Sequence, residues 1–177
     1  MTDFIRREFH VDDPDKTATI RQDVPAPRPA MPGGNVLYII GLEGSGKTAV
    51  AAHLAQALGG AAHVLPLDGA GAALEAILSA AQNGSPAIIE VPHKLLTSEG
   101  LRARISQSGR VLYLMAGVEA IAARQGKSPE EETRLRERLG RQRTAFEPLF
   151  MQSLHLLVMA DGPLEQVLAE ALERVRM

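Results

Sequence analysis

The stretch GLEGSGKT at residues 41–48 decides the fold of this chain. It fits the pattern of a glycine, four residues of any kind, and then Gly-Lys-Ser/Thr. The apolar run VLYII at residues 36–40 precedes it, and a helical stretch from residue 47 to about residue 58 follows it. A short continuous apolar run is typical of a strand that is buried on both faces. The motif is therefore predicted to join a first strand to a first helix.

The chemistry of this turn suits the phosphate groups of a nucleotide. Glycines let the backbone approach an anion closely, so that successive amide N–H groups point at it, and the start of the helix adds further unpaired N–H groups. Lys47 is predicted to bridge the β- and γ-phosphates, and the Thr48 hydroxyl to ligate Mg²⁺. The nucleotide-binding residues predicted in this turn are Gly41, Glu43, Gly44, Ser45, Gly46, Lys47, Thr48 and Ala49.

Apolar strands and helical stretches alternate through the rest of the chain. Further strands are predicted at residues 63–67, 87–91, 111–115 and 154–159, and helices at residues 72–81, 98–106, 118–124, from 129 onward and at 163–175. Ser128 and Pro129 are suited to cap and begin the longest helix. Strands separated by helices predict an α/β fold, a three-layer P-loop NTPase with a five-stranded parallel sheet flanked by helices.

Composition excludes several other classes of protein. The 177 residues carry 19 Lys and Arg against 21 Asp and Glu, with 3% aromatic residues, which argues against a nucleic-acid partner. There is no Cys, so cysteine nucleophiles and thiolate metal sites are excluded. No apolar run reaches the roughly 18 residues of a membrane span, and the first residues do not resemble a signal peptide. We therefore expect a cytoplasmic protein with no membrane contact.

Residues 1–34 differ in composition from the rest of the chain. Five of the eleven prolines fall there, among mixed charges and few apolar residues. Such a segment has little surface to bury, so we expect a flexible Pro-rich N-terminal tail at residues 1–34 and one folded domain at residues 35–177. The alternative is a docking segment for a protein partner, because Phe4, Ile5 and Phe9 could share one side of a short helix.

Two carboxylates lie at or just after the ends of predicted strands, at the edge where ligands bind in open α/β sheets. Glu90 lies near the end of the strand at residues 87–91, where it could hold a Mg²⁺ water or serve as a general base. The alternative is a structural ion pair with Lys94 or a neighbouring Arg. Asp68 follows the second predicted strand and has a similar position. The predicted catalytic residues are thus Lys47, Asp68 and Glu90, and the predicted metal-binding residues are Thr48 and Glu90.

The reaction class is narrowed by what the chain lacks. A GTPase is expected to carry the guanine-reading motif Asn-Lys-x-Asp, which is absent from the sequence. The chain is also too short for an AAA-type motor. A small ATP-dependent kinase is therefore favoured.

Over roughly residues 36–175 the chain resembles the shikimate kinases, within the nucleoside-monophosphate-kinase group of P-loop proteins. Besides the phosphate loop, the likeness lies in LLTSEGLR at residues 95–102, in VLYL at residues 111–114, and in EPLF at residues 147–150. The last of these is similar to an Asn-Pro-Leu-Tyr turn before the final strand of the family. The resemblance implies ATP and Mg²⁺ as cofactors, a small-molecule phosphoryl acceptor, Arg124 near the adenine, and a lid at residues 125–132.

The sequence departs from that family on the acceptor side. Only the second carboxylate of the family's Asp-x-Asp is present, as Asp68, and the substrate-binding segment that should follow is missing. The family's Gly-Gly-Gly corresponds to residues 92–94, where His93 and Lys94 could contact an anionic acceptor or simply form a turn. Phe146 stands where an arginine for the shikimate carboxylate is expected, and an apolar ring cannot pair with a carboxylate. Shikimate is therefore not the expected acceptor.

Two functions are left by these observations. The first is an ATP-dependent phosphotransferase acting on a small molecule other than shikimate, which the intact loop and Glu90 favour. The second is a catalytically degenerate nucleotide-binding regulatory or interaction protein, which the missing substrate segment and the Pro-rich tail favour. The arginines of the longest helix form a solvated, ion-paired face or else supply a replacement lid arginine, at Arg134 or Arg141.

Overall fold

The chain alternates strands and helices as predicted, and this computed structural model describes residues 34–81, 84, 86–126 and 128–177. The strands are β1 (Val36–Gly41), β2 (Ala61–Val64), β3 (Ala87–Glu90), β4 (Arg110–Met115) and β5 (Leu156–Met159). The helices are α1 (Lys47–Leu58), α2 (Ala70–Ala81), α3 (Glu99–Ser108), α4 (Val118–Gln125), α5 (Pro129–Ser153) and α6 (Leu164–Arg176), with a short 3₁₀-helix at His93–Thr97.

The five strands form one parallel sheet in the order β2-β3-β1-β4-β5. Every residue of the central strand β1 is buried, and Tyr38, Ile39 and Ile40 have no exposed surface. A strand covered on both faces needs apolar side chains at every position, which explains the continuous run in the sequence. Helices flank the sheet, with α1 against β3 and α6 against β5. The predicted fold class is confirmed.

The sheet register brings the candidate site to one edge. Ile39 of β1 lies opposite Glu90 of β3, and Gly41 lies opposite Leu114 of β4. Because the strands are parallel, their carboxyl ends meet at the same edge, which is where β1 runs into the turn before α1. The end of β3 therefore lies directly beside that turn.

Two segments differ from their predictions. Strand β2 covers Ala61–Val64 rather than residues 63–67, because the Ala61 N–H already donates to the Pro86 carbonyl (2.9 Å) and Pro66 has no N–H to continue the ladder. The EPLF motif lies inside α5 rather than in a turn. The helix continues through Pro148 to Ser153, where the buried Phe150 and Ser153 side chains hold its last turns.

The predicted tail lies outside the described residues except for Gly34, so its flexibility and its protein partner stay predictions, as does the cytoplasmic location. In the described ranges, no helix is both long and apolar enough to cross a membrane. The same residues contain no group of three or more His, Asp or Glu side chains that could hold a metal ion.

Candidate functional site

The turn between β1 and α1 has the backbone geometry that an anion site needs. Gly46 caps α1 with a φ of 94°, a left-handed conformation that favours glycine. At Gly41 a Cβ atom would lie 2.6 Å from the Leu114 carbonyl oxygen on β4, so only glycine fits there. Among the described residues, the amides of Gly44 and Gly46 donate to no backbone carbonyl. These N–H groups are therefore available to a phosphate.

The Lys47 ammonium folds back into this loop. Its Nζ donates to the carbonyl oxygens of Gly41 (3.2 Å) and Leu42 (2.8 Å), and the side chain is buried. Burial lowers the pKa of Lys47, and the nearby carboxylates of Glu90 and Glu43 partly offset that effect. A desolvated cation gains most from a charged acceptor, so a phosphate is a stronger partner for Lys47 than these two carbonyls are.

Thr48 and Glu90 meet at the start of α1. The Thr48 hydroxyl donates to Oε2 of Glu90 at 2.7 Å, although the two residues are far apart in sequence. Both side chains offer oxygen ligands, which are the donors that Mg²⁺ prefers, and Mg²⁺ usually takes only one or two protein carboxylates beside phosphates and water. The pair therefore fits a magnesium ion held between Thr48, Glu90 and a nucleotide.

Aromatic rings lie on one side of the phosphate loop. His93 begins the 3₁₀-helix that follows β3, is only 8% exposed, and packs edge-on against Phe146 of α5 with ring centroids 4.7 Å apart. Phe146 in turn stacks on Phe150 at 6.5 Å. Burial and the charge of Lys47 lower the pKa of His93, and Glu43 opposes them. The ring of His93 thus fills space beside the phosphate loop.

Asp68 and Arg124 lie at opposite sides of this edge. Asp68 is exposed in the loop between β2 and α2, and within the described part of the chain its carboxylate has no hydrogen-bond or ion-pair partner. Arg124 of α4 donates to the Ala120 carbonyl (3.0 Å) and to the Ala160 carbonyl just after β5. Arg124 is therefore held at the β5 side of the sheet, across from Asp68 on the β2 side.

Two glutamines lie over the phosphate loop: Gln142, which the sequence did not mark, and Gln125, the first residue of the predicted lid. Gln142 of α5 donates from Nε2 to Oε2 of Glu43 at 3.5 Å. Gln125, the last residue of α4, lies so close to Gly44 that an added Cβ would collide with its amide nitrogen. Because α4 ends at Gln125 and α5 begins at Pro129, most of the segment expected to form a lid is helical.

The arginines of α5 divide into two groups. Arg136 pairs with Glu119 and Glu132, and Arg143 pairs with Glu147, so part of the expected ion-paired face is present. Across the ranges that the structure describes, three others form no ion pair: Arg134, Arg138 and Arg141. Within those ranges, the two candidates for a replacement lid arginine, Arg134 and Arg141, are therefore not held in ion pairs.

Solved kinases have the same fold. No protein-family model matches the sequence, and no curated protein matches it. Shikimate kinase from Bacteroides thetaiotaomicron is similar with a TM-score of 0.57 at 15% identity, over 80% of this chain and 95% of that one. Shikimate kinase from Acinetobacter baumannii, solved with shikimate, has a TM-score of 0.56 at 20% identity, over 80% of this chain and 90% of that one. A sugar kinase from a Janibacter species has a TM-score of 0.56 at 19% identity, over 80% of this chain and 94% of that one.

These likenesses define the class of fold. The chain has a shikimate-kinase-like P-loop kinase fold, as its motifs predicted. Identities of 20% or less concern the fold alone, so the activity has to be argued from the site.

Proposed function

We propose that this protein is an ATP-dependent phosphotransferase that transfers the γ-phosphoryl group to a small-molecule alcohol other than shikimate. The observation that carries the proposal is the hydrogen bond between Thr48 and Glu90 beside the buried Lys47. A phosphate loop alone indicates nucleotide binding. A carboxylate held against the loop threonine adds a second oxygen ligand where Mg²⁺ is needed for phosphoryl transfer.

Each residue on the nucleotide side has a role in this proposal. The loop amides of Gly44 and Gly46 bind phosphate oxygens, and Lys47 stabilises the charge that develops on the transferred phosphoryl group. Thr48 and Glu90 hold Mg²⁺, which when bound neutralises phosphate charge. Arg124 contacts the adenine, and this role rests on the family resemblance.

The acceptor side supports a substrate different from shikimate. Phe146 stands where the resemblance calls for a carboxylate-binding arginine, and its partly buried ring is packed against His93. A charged hydrogen bond contributes about 1.5–3 kcal/mol, so its loss weakens the binding of a carboxylate acceptor by about tenfold or more. Asp68, exposed on the β2 side, is proposed to orient the acceptor hydroxyl.

The test of the proposal measures ADP release with Mg²⁺-ATP and a panel of alcohols: polyols, sugars, sugar acids, nucleosides and shikimate. We expect one class of acceptor to raise ADP release well above the rate in water, and Lys47→Ala and Glu90→Gln to abolish the increase. Robust phosphorylation of shikimate would contradict our interpretation of Phe146.

A second function is favoured by one specific observation. The His93–Phe146 pair fills space that the family leaves for substrate, as expected for a nucleotide-binding regulatory protein that has lost its acceptor. Tight binding of Mg²⁺-ATP, with no turnover for any acceptor and no effect of Glu90→Gln, would favour this alternative over the kinase.

A further inference from the structure

His93 combines a buried ring with nitrogens that find no hydrogen-bond partner among the described residues. In the described part of the chain, neither ring nitrogen makes a hydrogen bond. Two side-chain atoms of the described residues are fully buried without a partner, Ser45 Oγ and Gln142 Oε1. The nitrogens of His93 are not among them, so they still reach solvent. A ring packed against Phe146 with a free nitrogen is therefore positioned to hydrogen-bond a ligand.

The two carboxylates at this edge of the sheet, Glu90 and Asp68, are less suited than His93 to take a proton in the reaction. Glu90 accepts a hydrogen bond from Thr48, and as a metal ligand its charge would be committed to Mg²⁺. Asp68 is exposed, on a loop after the edge strand β2. His93, in contrast, lies three residues beyond Glu90, close enough to Lys47 and Glu43 to interact with their charges.

We propose that His93 is the general base of the phosphotransferase, a role that rests on the function proposed above. One ring nitrogen of His93 accepts the hydroxyl proton of the acceptor as the acceptor oxygen bonds to the γ-phosphorus of ATP. The bond from the γ-phosphorus to the β–γ bridging oxygen breaks, and ADP leaves with that electron pair. The imidazolium then passes its proton to water.

The charges around His93 fit this role. Burial lowers the pKa of His93, and so do the cations Lys47 of the phosphate loop and Lys94 of its own 3₁₀-helix, while Glu43 raises it. The neighbouring helix α5 presents the uncharged ring of Phe146. The ring is therefore neutral near pH 7 and able to accept a proton. Phosphate groups beside Lys47 would raise the pKa, because they add negative charge.

The first experiment measures the imidazole pKa values by NMR, without and with the non-hydrolysable probe Mg²⁺-AMPPNP. His155 is the matched control: it is also partly buried with a lowered pKa, but its Nδ1 accepts a hydrogen bond from the Val111 amide at the opposite end of the sheet. We expect the pKa of His93 to rise on binding, because the phosphates add negative charge beside it, and that of His155 to stay constant.

The second experiment compares pH profiles of phosphoryl transfer, or of ATP hydrolysis with water as acceptor. Wild type should lose activity as the pH falls through the pKa of His93, because the protonated ring accepts no proton. His93→Gln should be slower by about a hundredfold and lack this acidic limb, whereas His155→Gln and Asp68→Asn should keep it. Ionisation of ATP itself would appear equally in all four proteins.

The outcomes separate the two proposals. If wild type shows no heat in calorimetry with Mg²⁺-ATP, the proposed function itself fails. If the nucleotide binds but the pKa of His93 does not move, or if His93→Gln keeps the acidic limb, only the role of His93 is overturned. Should His93→Gln fail to fold, the NMR titration of wild type decides alone.

Discussion

Replacing Glu90 by Gln tests the proposed magnesium site. The Thr48 hydroxyl donates to Glu90 at 2.7 Å, and this hydrogen bond to a charged group contributes about 1.5–3 kcal/mol, toward the lower end because Thr48 is exposed. Loss of a carboxylate that holds or orients a metal typically weakens metal affinity by about 10–100-fold. We therefore expect Glu90→Gln to need about ten to a hundred times more Mg²⁺ for half-maximal ATP affinity.

The assay is calorimetry of ATP binding at increasing Mg²⁺ concentrations, which needs no knowledge of the acceptor. Thr48→Val and the double variant complete a cycle: if both side chains serve one ion, the double variant should lose little more than the worse single one. Glu75→Gln is the control, since Glu75 of α2 is an exposed carboxylate that forms an ion pair with Arg104 of α3 at 2.6 Å. Strictly additive losses, or an unchanged Mg²⁺ requirement in Glu90→Gln, would refute the reasoning.

Three further predictions concern the phosphate loop and the proposed contact of Arg124 with adenine. Lys47→Ala should weaken ATP binding by about 10–100-fold in calorimetry, because a buried charged contact to phosphate is lost; unchanged affinity would show that Lys47 does not reach the nucleotide. Gly41→Ala should lower the free energy of unfolding by about 1–3 kcal/mol in thermal denaturation, because a Cβ would meet the Leu114 carbonyl, whereas Gly140→Ala, in open space inside α5, should raise it by about 0.5–1 kcal/mol. Arg124→Ala should weaken ATP binding but leave inorganic triphosphate unaffected, and equal losses for both would contradict an adenine contact.

Most of the fold could be predicted because local signals and burial agree. The first helix occupies Lys47–Leu58, as predicted, since Gly46 and Gly59 at its two ends both adopt left-handed conformations. Strand β2 was placed two residues late, because an edge strand with mostly exposed side chains lacks the continuous apolar run that marks β1. The motif at residues 147–150 was expected in a turn, but burial of Phe150 extends the helix through Pro148.

The candidate site was predictable where it rests on a local motif or on the edge at which parallel strands end. The phosphate loop is one continuous motif, and the position of Glu90 followed from the edge at which parallel strands end. The packing of His93 on Phe146 and the contact of Gln142 with Glu43 join distant parts of the chain. No periodicity or spacing marks such pairs, because they form only when α5 packs against the 3₁₀-helix and approaches the phosphate loop.

The most direct test of the account is to follow backbone amide resonances by NMR while Mg²⁺-ATP is added. Binding of the triphosphate by the turn after β1 predicts large shifts for the amides of Gly44, Gly46 and Lys47, and none for Gly71 and Gly140, which lie in helices α2 and α5. If the loop amides stay in place while resonances elsewhere move, or if none move at all, the loop does not bind the nucleotide and the account is wrong.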